Sequence, residues 1–282
     1  MERIARKSPK AGDLLLWLAG AVATVLWLGP MAWTIVSSVK PEGEILTRAP
    51  EFFPHRFALD HYLTILQQPI LRWFINSTVV AIGGTFLTMC VSATAGYAFA
   101  RFSFVGRRAL FGLLLATLMI PFEATMIPLY LLMARFDLTG TLLAMILPDA
   151  ASAVSVYIFR NFFYGFPREL EDAATIDGSG LWGTFLRIAL PLARPAILAV
   201  AILRFASYWN AFLWPLLITN SDTTTMAVGL AMYRPSASQT AQTHFLGPGL
   251  AAATVQALPT LIVFVLLQRY FVEGVTMSGI KQ

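Results

Sequence analysis

Three ionisable residues lie inside long apolar stretches of the sequence: Glu123, Asp149 and Arg204. A lone charge at the centre of a bilayer costs about 3 kcal/mol or more, so each is expected to face the protein interior and to find a partner or water. Two interpretations stay open, a polar pathway for a solute and a structural ion pair. In either case we expect Arg204 to pair with Glu123 or Asp149.

Four further residues carry side chains suited to binding a sugar: Asn76, Tyr208, Trp209 and Asn210. Amides and hydroxyls can hydrogen-bond the edges of a sugar ring, and aromatic faces can cover its C–H face. Tyr and Trp also populate membrane interfaces, and polar side chains join membrane helices. With the three charged residues above, these four form the candidate translocation pathway.

Other kinds of chemistry have no residues to support them. The single Cys90 cannot form an internal disulfide, and His55, His61 and His244 are scattered along the chain without a second cluster of ligands. No Ser-His-acid, Cys-His or paired-carboxylate constellation is present. The sequence therefore predicts no enzymatic activity, no metal site and no cofactor bound by this chain.

The composition indicates where these residues reside. Of the 282 residues, 57% are hydrophobic and only 12% are charged, against roughly a quarter charged in soluble domains. Six apolar segments are long enough to cross a bilayer as helices: 14–36, 73–100, 109–133, 138–164, 192–218 and 249–271. The predicted fold class is all-α, a polytopic membrane protein with six transmembrane helices in one transmembrane domain, 14–271.

The placement of basic residues predicts the orientation. If 1–13 and the tail 272–282 are cytoplasmic, most of the twenty Lys and Arg residues fall on the cytoplasmic side, as the positive-inside rule requires. The segment at 14–36 is too long for a signal-peptide core and lacks a small-residue cleavage site, so we expect a retained span. The basic residues occupy short loops next to the spans, which predicts contact with membrane lipid and no nucleic-acid binding.

The loop 165–191 between the fourth and fifth spans is far more polar than its neighbours. Pro167 suits a first helical turn, the acidic residues that follow suit the positive end of the helix dipole, and Gly178 can end the helix in a left-handed conformation. We expect a helix-turn-helix whose second helix closes at Pro191. A stripe of four residues at i, i+3, i+4 and i+7 would allow another protein to approach: Leu170, Ala173, Ala174 and Asp177.

This loop resembles that of the six-span permease subunits of binding-protein-dependent ABC importers, in particular the maltose-type carbohydrate group. That family carries Glu-Ala-Ala, three residues, Gly, nine residues and then Ile-x-Leu-Pro. Here the corresponding residues are Asp172, Ala173, Ala174, Gly178, Ile188, Leu190 and Pro191, with Glu171 beside Asp172. Asp172 departs from the family's Glu, which keeps a carboxylate and shortens its reach.

The resemblance covers essentially the whole chain. It includes Asn76-Ser77, the Ile-Pro-Leu-Tyr run at 127–130, the Trp-Asn-Ala-Phe-Leu-Trp-Pro-Leu run at 209–216 and the tail at 270–276. It implies that the loop forms a coupling helix seated in a cleft of an ATP-binding subunit, through Glu171, Asp172, Ala173, Ala174, Asp177 and Gly178. The alternative is an ordinary amphipathic hairpin on the cytoplasmic face.

The resemblance also implies the partners: a second homologous permease subunit, two ATP-binding subunits that carry ATP and magnesium, an external solute-binding protein, and a sugar-like substrate. No G-x-x-x-x-G-K-[ST] phosphate-binding loop occurs in the sequence, so any ATP hydrolysis must reside on a separate subunit. The expected location is the inner or cytoplasmic membrane.

Two alternatives remain at this point. An ion-coupled secondary transporter would use Glu123, Asp149 or Arg204 for coupling, and broken helices in matching halves, which the sequence does not reveal, would favour it. Within the same family, an importer of glycerol phosphate esters is also compatible.

Overall fold

The structure is a computed structural model that describes residues 11–47, 51–231 and 246–279, with side chains except at 11, 13, 14 and 267–279. In this part of the chain every regular element is helical. The helices are α1 Ala11–Ser37, α2 Glu42–Ile45, α3 Asp60–Leu66, α4 Ile70–Arg101, α5 Arg107–Ala116, α6 Phe122–Arg135, α7 Leu143–Ile146, α8 Ala153–Tyr164, α9 Glu169–Ile176, α10 Leu181–Thr184, α11 Leu190–Leu192, α12 Arg194–Trp209, α13 Leu213–Ile218, α14 Met226–Leu230 and α15 Leu246–Gly279.

Three helices are long and apolar enough to cross a membrane without interruption: Leu15–Ser37, Ile70–Arg101 and Leu246–Leu266. Three bent helix pairs meet the same test when each is taken as one span, which gives up to six spans in the described residues. The all-α, six-span fold class is therefore confirmed. The most apolar stretch of α1 buries none of its residues within the chain, so its surface suits lipid or another subunit.

The third and fourth predicted spans are bent, and the fifth is interrupted. The third bends by 102° between Met119 and Phe122, because Pro121 keeps the residue before it out of the α region; Ile120 is extended, with ψ 116°. The fourth bends by 50° before Ala153, where the Ser152 hydroxyl caps α8 by accepting from the Ser155 N–H at 3.3 Å.

The fifth span also differs from its predicted bounds, 192–218. Helix α12 ends at Trp209, and residues 210–212 are not helical before α13 begins at Leu213. At its other end, α12 meets the helical stretch Leu181–Leu192 at an angle of 74°, with Pro195 in the first turn of α12.

The last helix is longer than the predicted sixth span, 249–271. Helix α15 continues to Gly279 and so includes most of the predicted tail at 272–282, whose last three residues lie outside the described residues. The predicted cytoplasmic segment 1–13 lies outside them up to residue 10.

The chain divides into two compact units, and the larger comprises Pro69–Met232 and Gln256–Gln282. Its centre is α4, which packs along α8 and α12. The close approach of α4 and α8 depends on Gly96, where a Cβ would lie 2.6 Å from the Phe159 Cβ and 2.9 Å from the Arg160 backbone nitrogen. Phe159 is fully buried in this contact, so any side chain at position 96 would separate the two helices.

The smaller unit comprises Met1–Gln68 and Tyr233–Val255. Within it, the Glu42 carboxylate accepts hydrogen bonds from the backbone N–H groups of Leu246 at 2.8 Å and Gly247 at 3.0 Å. These are the first N–H groups of α15, where a carboxylate is favoured by the helix dipole. Lys40 is buried, with its ammonium 4.2 Å from the Trp33 ring centroid.

Candidate functional site

The polar loop after α8 is a helix-turn-helix, as the sequence predicts. Helix α9 ends in the left-handed Gly178, whose φ is +82°. The Gly178 N–H donates to the Thr175 carbonyl at 3.1 Å, and the Ser179 N–H donates to the Ala174 carbonyl at 2.8 Å, which is the Schellman pattern. The glycine therefore fixes the direction in which the chain leaves α9.

One face of α9 is attached to the end of α4 through Glu171. Its carboxylate lies 3.0 Å from Arg101 Nε and accepts a hydrogen bond from the Tyr97 hydroxyl at 3.1 Å. The side chains of Arg101 and Glu171 are only 6% and 17% exposed. Arg101 also donates to the Phe166 carbonyl at 2.6 Å. One guanidinium therefore contacts both the segment before α9, at Phe166, and the first turn of α9, at Glu171.

The opposite face of α9 is exposed. It carries two carboxylates, an alanine and two large apolar side chains: Asp172, Ala173 and Asp177, with Leu170 44% and Ile176 86% exposed. The predicted stripe is wrong in one respect, since Ala174 is buried at 5% exposure and only Ala173 of the alanine pair faces outward. A partner would therefore meet one alanine between acidic and apolar neighbours.

The second helix of the loop contains a π-helical turn over 185–189 and ends at Leu192, one residue later than expected. The π-helical turn includes residue 187, whose carbonyl the ring of Pro191 would meet in a regular α-helix. Ile188 and Leu190 are half-buried and Pro191 is exposed. None of these three residues touches α9 through a described hydrogen bond or ion pair.

Arg204 pairs with Asp149, which decides between the two predicted partners. A guanidinium NH2 group donates to an Asp149 carboxylate oxygen and, at 3.3 Å, to the Asp149 backbone carbonyl. The guanidinium carbon lies 4.9 Å from the Tyr208 ring centroid. Asp149 keeps 44% of its side chain exposed, whereas Arg204 keeps 12%, so the pair lies at the edge of the helix bundle.

Glu123 lies away from this pair. It is exposed in the first turn of α6, directly after the 102° bend, and takes part in no ion pair among the described residues. Glu123 is therefore not the partner of Arg204 among the described residues, and its place in the pathway stays a prediction.

Asn76 has a structural partner. Its amide donates to the backbone carbonyls of Asp222 at 3.0 Å and Thr224 at 2.9 Å, and the neighbouring Ser77 hydroxyl accepts from the Met226 N–H at 2.8 Å. Arg72 adds an ion pair with Asp222 at 2.9 Å. The start of α4 thus holds the segment that leads into α14.

The aromatic candidates are also packed inside the bundle. Tyr208 is 6% exposed and its hydroxyl donates to the Ile146 carbonyl at 3.2 Å, with Thr88 at the same distance. Trp209 is 1% exposed and its indole N–H donates to the Gln256 carbonyl at 2.8 Å. Asn210 is exposed, although its amide donates to the Ala206 carbonyl at 2.9 Å. Of the predicted pathway residues, Glu123, Asn210 and Asp149 are therefore the ones most open to a solute.

Sequence reasoning missed Tyr97 and Arg101, which hold Glu171. The available signal was Arg101 itself, a basic residue that ends the second predicted span on the same side as the loop.

An apolar cavity of about 290 Å³ lies between α4 and the second helix of the loop, and its lining includes Cys90, Phe159, Trp182 and Phe185. Its walls are almost entirely apolar, unlike a site that must orient a polar ligand. Within the described residues, no three His, Cys, Asp or Glu side chains are placed to hold a metal ion.

The helices, with up to six candidate spans in the described residues, are typical of a multi-pass membrane protein. The chain belongs to the family described as binding-protein-dependent transport system inner membrane component, which matches residues 89–277. This confirms the family resemblance, the multi-pass membrane location and the prediction of a membrane component of a binding-protein-dependent transport system.

Individual relatives match over the whole length. The chain is 36% identical to the arabinooligosaccharides transport system permease protein of Halalkalibacterium halodurans, covering 98% of this chain and 99% of that one. It is 34% identical to the lactose transport system permease protein of Rhizobium radiobacter, covering 99% of both. Among solved structures, a bacterial ABC transporter involved in the import of the acidic polysaccharide alginate has a chain with TM-score 0.77 at 20% identity, covering 94% of this chain and 99% of that one.

Proposed function

We propose that this chain is the permease subunit of an ATP-driven importer that translocates a sugar delivered by an external binding protein. It would form the channel with a second, homologous permease subunit, and two ATP-binding subunits would supply the energy. ATP and magnesium would be bound by those subunits, because this chain has no phosphate-binding loop. Its own role is then conformational, and it is not an enzyme.

The observation that carries this proposal is the division of α9 into two faces. Glu171 attaches the inner face to Arg101 and Tyr97 of α4, while Asp172, Ala173 and Ile176 leave the outer face open. If α9 only covered the bundle, nothing would favour an exposed isoleucine next to an exposed alanine. These two residues therefore suit contact with another protein. The arrangement fits a coupling helix that docks in a groove of an ATP-binding subunit and transfers its movement to α4.

The orientation follows from the charges. We place both termini and the loop 165–191 in the cytoplasm, because the basic residues concentrate at that side. The outer end of α4, with the Asn76–Asp222 contact, then faces the binding protein. The domain bounds proposed for the permease are 14–271, with α15 extending into the tail.

The pathway is proposed to pass the edge of the bundle at Asp149, Arg204 and Asn210. Asn76, Tyr208 and Trp209 would support its wall from within, since their polar atoms already have partners in the chain. Glu123, exposed at the bend before α6, completes the set of polar residues that a solute can meet.

The substrate class rests on the relatives. Those named above are described as transporting arabinooligosaccharides and lactose, and another, from Agrobacterium fabrum and 31% identical, as transporting sulfoquinovosyl glycerol. The substrates named for these three relatives are all glycosides, either neutral or anionic. The Arg204 guanidinium could bind the charged group of an anionic glycoside. A glycerol phosphate ester is the alternative within the family.

The test is ATP hydrolysis in proteoliposomes that contain this chain, its partner permease and the ATP-binding subunits. Gly178→Pro should abolish the stimulation by sugar-loaded binding protein, because proline removes the N–H that bonds Thr175 and cannot adopt φ +82°. The matched control is Gly180→Ala, at a φ of −74° with open space around it. It should keep the stimulation.

Two results would contradict the proposal. Stimulation that survives Gly178→Pro in an assembled complex would remove the coupling role from the loop. Accumulation of substrate by this chain alone, without nucleotide and driven by an ion gradient, would favour the secondary transporter. Broken helices would favour a secondary transporter, and three spans are bent in the structure. The family membership of the chain argues against that alternative.

A further inference from the structure

An uncompensated cluster of positive charge lies where α5 begins. Arg107 and Arg108 occupy the first turn of this helix, where the helix dipole already places a partial positive charge and basic side chains are unfavourable. Among the described residues, neither arginine has a carboxylate partner. The Arg107 guanidinium donates to the Phe102 backbone carbonyl at 2.9 Å.

A third arginine approaches the same place from α8. The Arg160 guanidinium carbon lies 4.2 Å from the centroid of the Phe111 ring and 5.6 Å from that of Tyr164. Phe111 is one turn after Arg107 and Arg108, so these residues share one face of α5. In the described part of the chain, the Arg160 N–H groups have neither a carboxylate nor any other hydrogen-bond acceptor.

Aromatic rings hold Arg160 in place. Phe111 stacks on Tyr157 with centroids 6.5 Å apart and contacts Phe99 at 5.4 Å. A guanidinium fixed against ring faces keeps its N–H edge free for a planar or tetrahedral anion, and such pairs are commonly bidentate. The cluster therefore offers the N–H donors and the positive charge that an anion-binding site needs.

The position of the three arginines along their helices indicates which kind of anion they would bind. Helix α4 ends at Arg101, α5 begins at Arg107 and α8 ends at Tyr164, so three candidate spans reach their ends here. Because a span ends at the level of the lipid headgroups, we expect the three arginines at that level, and basic pockets between transmembrane helices bind anionic lipid headgroups. The loop tip adds Val105, which is fully exposed, and Phe104 at 41% exposure, both suited to contact with acyl chains.

We propose that Arg107, Arg108 and Arg160 form a binding site for the phosphate of an anionic phospholipid, on the aromatic surface made by Phe111 and Tyr164. The lipid would neutralise the positive end of α5 and bridge it to α8. This site depends on the membrane location alone and is independent of the sugar proposed as substrate.

The test uses the purified complex of this chain with its partner subunits, stripped of lipid by detergent. Binding of a short-chain phosphatidylglycerol is measured by native mass spectrometry and compared with that of the matching phosphatidylcholine. One phosphatidylglycerol should bind per chain in preference to phosphatidylcholine. Arg108→Gln and Arg160→Gln should each weaken its affinity about fivefold, the effect of one arginine near an anionic membrane surface.

The matched control is Arg194→Gln, an exposed arginine in the first turn of α12 that lacks aromatic contacts among the described residues. It should leave the affinity unchanged, which separates the site from net charge. If Arg160→Gln does not assemble, Arg108→Gln still decides, because its side chain is exposed and has no described contact.

Four results would overturn the proposal. The first is equal binding of phosphatidylcholine, and the second is unchanged lipid affinity in Arg108→Gln. The third is displacement of the lipid by inorganic phosphate at equal concentration, and the fourth is loss of an ATP-binding subunit from Arg108→Gln with lipid binding intact. The third would indicate a site for free phosphate, and the fourth an acidic protein surface as the partner.

Discussion

Glu171 of α9 and Arg101 of α4 form a nearly buried ion pair, with 3.0 Å between Oε1 and Nε. The two residues are far apart in the sequence and belong to elements of opposite character, an exposed loop helix and a membrane span. Removing one member of a buried pair leaves the other charge without compensation. The contact therefore fixes how α9 sits on the bundle.

Glu171→Gln should destabilise the chain by about 3 kcal/mol and reduce the coupling of ATP hydrolysis to binding-protein loading. Thermal unfolding of the complex and ATPase stimulation in proteoliposomes measure the two effects. Glu169→Gln is the matched control, because Glu169 is exposed on the same helix. Equal behaviour of the two variants would show that the ion pair has no role.

Ala173 and Ala174 should respond in opposite ways to a large side chain. Ala173→Phe, on the exposed face, should leave the chain folded but prevent docking of the ATP-binding subunits, because a groove that accepts alanine has no space for a ring. Ala174→Phe, at a position 5% exposed, should lower the chain's own stability. Co-purification of the ATP-binding subunits and thermal unfolding distinguish the outcomes. Normal docking by Ala173→Phe would place the interface elsewhere.

Arg204→Met should destabilise the chain by about 1 kcal/mol, a modest loss because Asp149 remains 44% exposed. Adding Asp149→Asn should recover most of that loss, since no charge then lacks its partner. Thermal unfolding of Arg204→Met, of Asp149→Asn and of the double variant gives the coupling between the two positions. Glu123→Gln, which removes an exposed charge outside the pair, is the control and should leave stability unchanged.

Asn76 and Asn210 should separate structural from transport roles. Asn76→Ala loses hydrogen bonds to two backbone carbonyls and should cost about 2 kcal/mol without a specific change in substrate affinity. Asn210→Ala, at an exposed position, should change the KM for transport at nearly unchanged stability. Uptake kinetics together with thermal unfolding test both. A KM change confined to Asn76→Ala would reverse the assignment.

The loop shows how far sequence reasoning reaches. The left-handed turn at Gly178 follows from local spacing, because the Schellman pattern involves residues within one turn of one another. The faces of α9 could not be derived in the same way. Spacing of Leu170 and the alanines suggested one apolar stripe, but Glu171 turns inward because Arg101, far away in the sequence, offers it a charge.

The polar residues of the predicted spans also depend on contacts that are distant in the sequence. The sequence limits Arg204 to two partners because few charges lie inside spans, and Asp149 is the one it contacts. Side-chain chemistry alone predicts a pathway role for Asn76, whereas in the structure its amide donates to backbone carbonyls near residue 222. Glu123 is exposed directly after the bend at Pro121, and sequence alone does not say whether a proline bends a span or is accommodated within it.

Helix α4 has 32 residues and no internal proline, so at 1.5 Å per residue it extends about 48 Å. One end holds the backbone near Asp222 through Asn76, and the other holds α9 through Arg101. Because α4 is one uninterrupted helix held at both ends, we expect a displacement at one end to be transmitted to the other. Thermodynamic reciprocity then applies: whatever free energy a ligand at the far end of α4 contributes to the docking of α9, the docked α9 must return to that ligand.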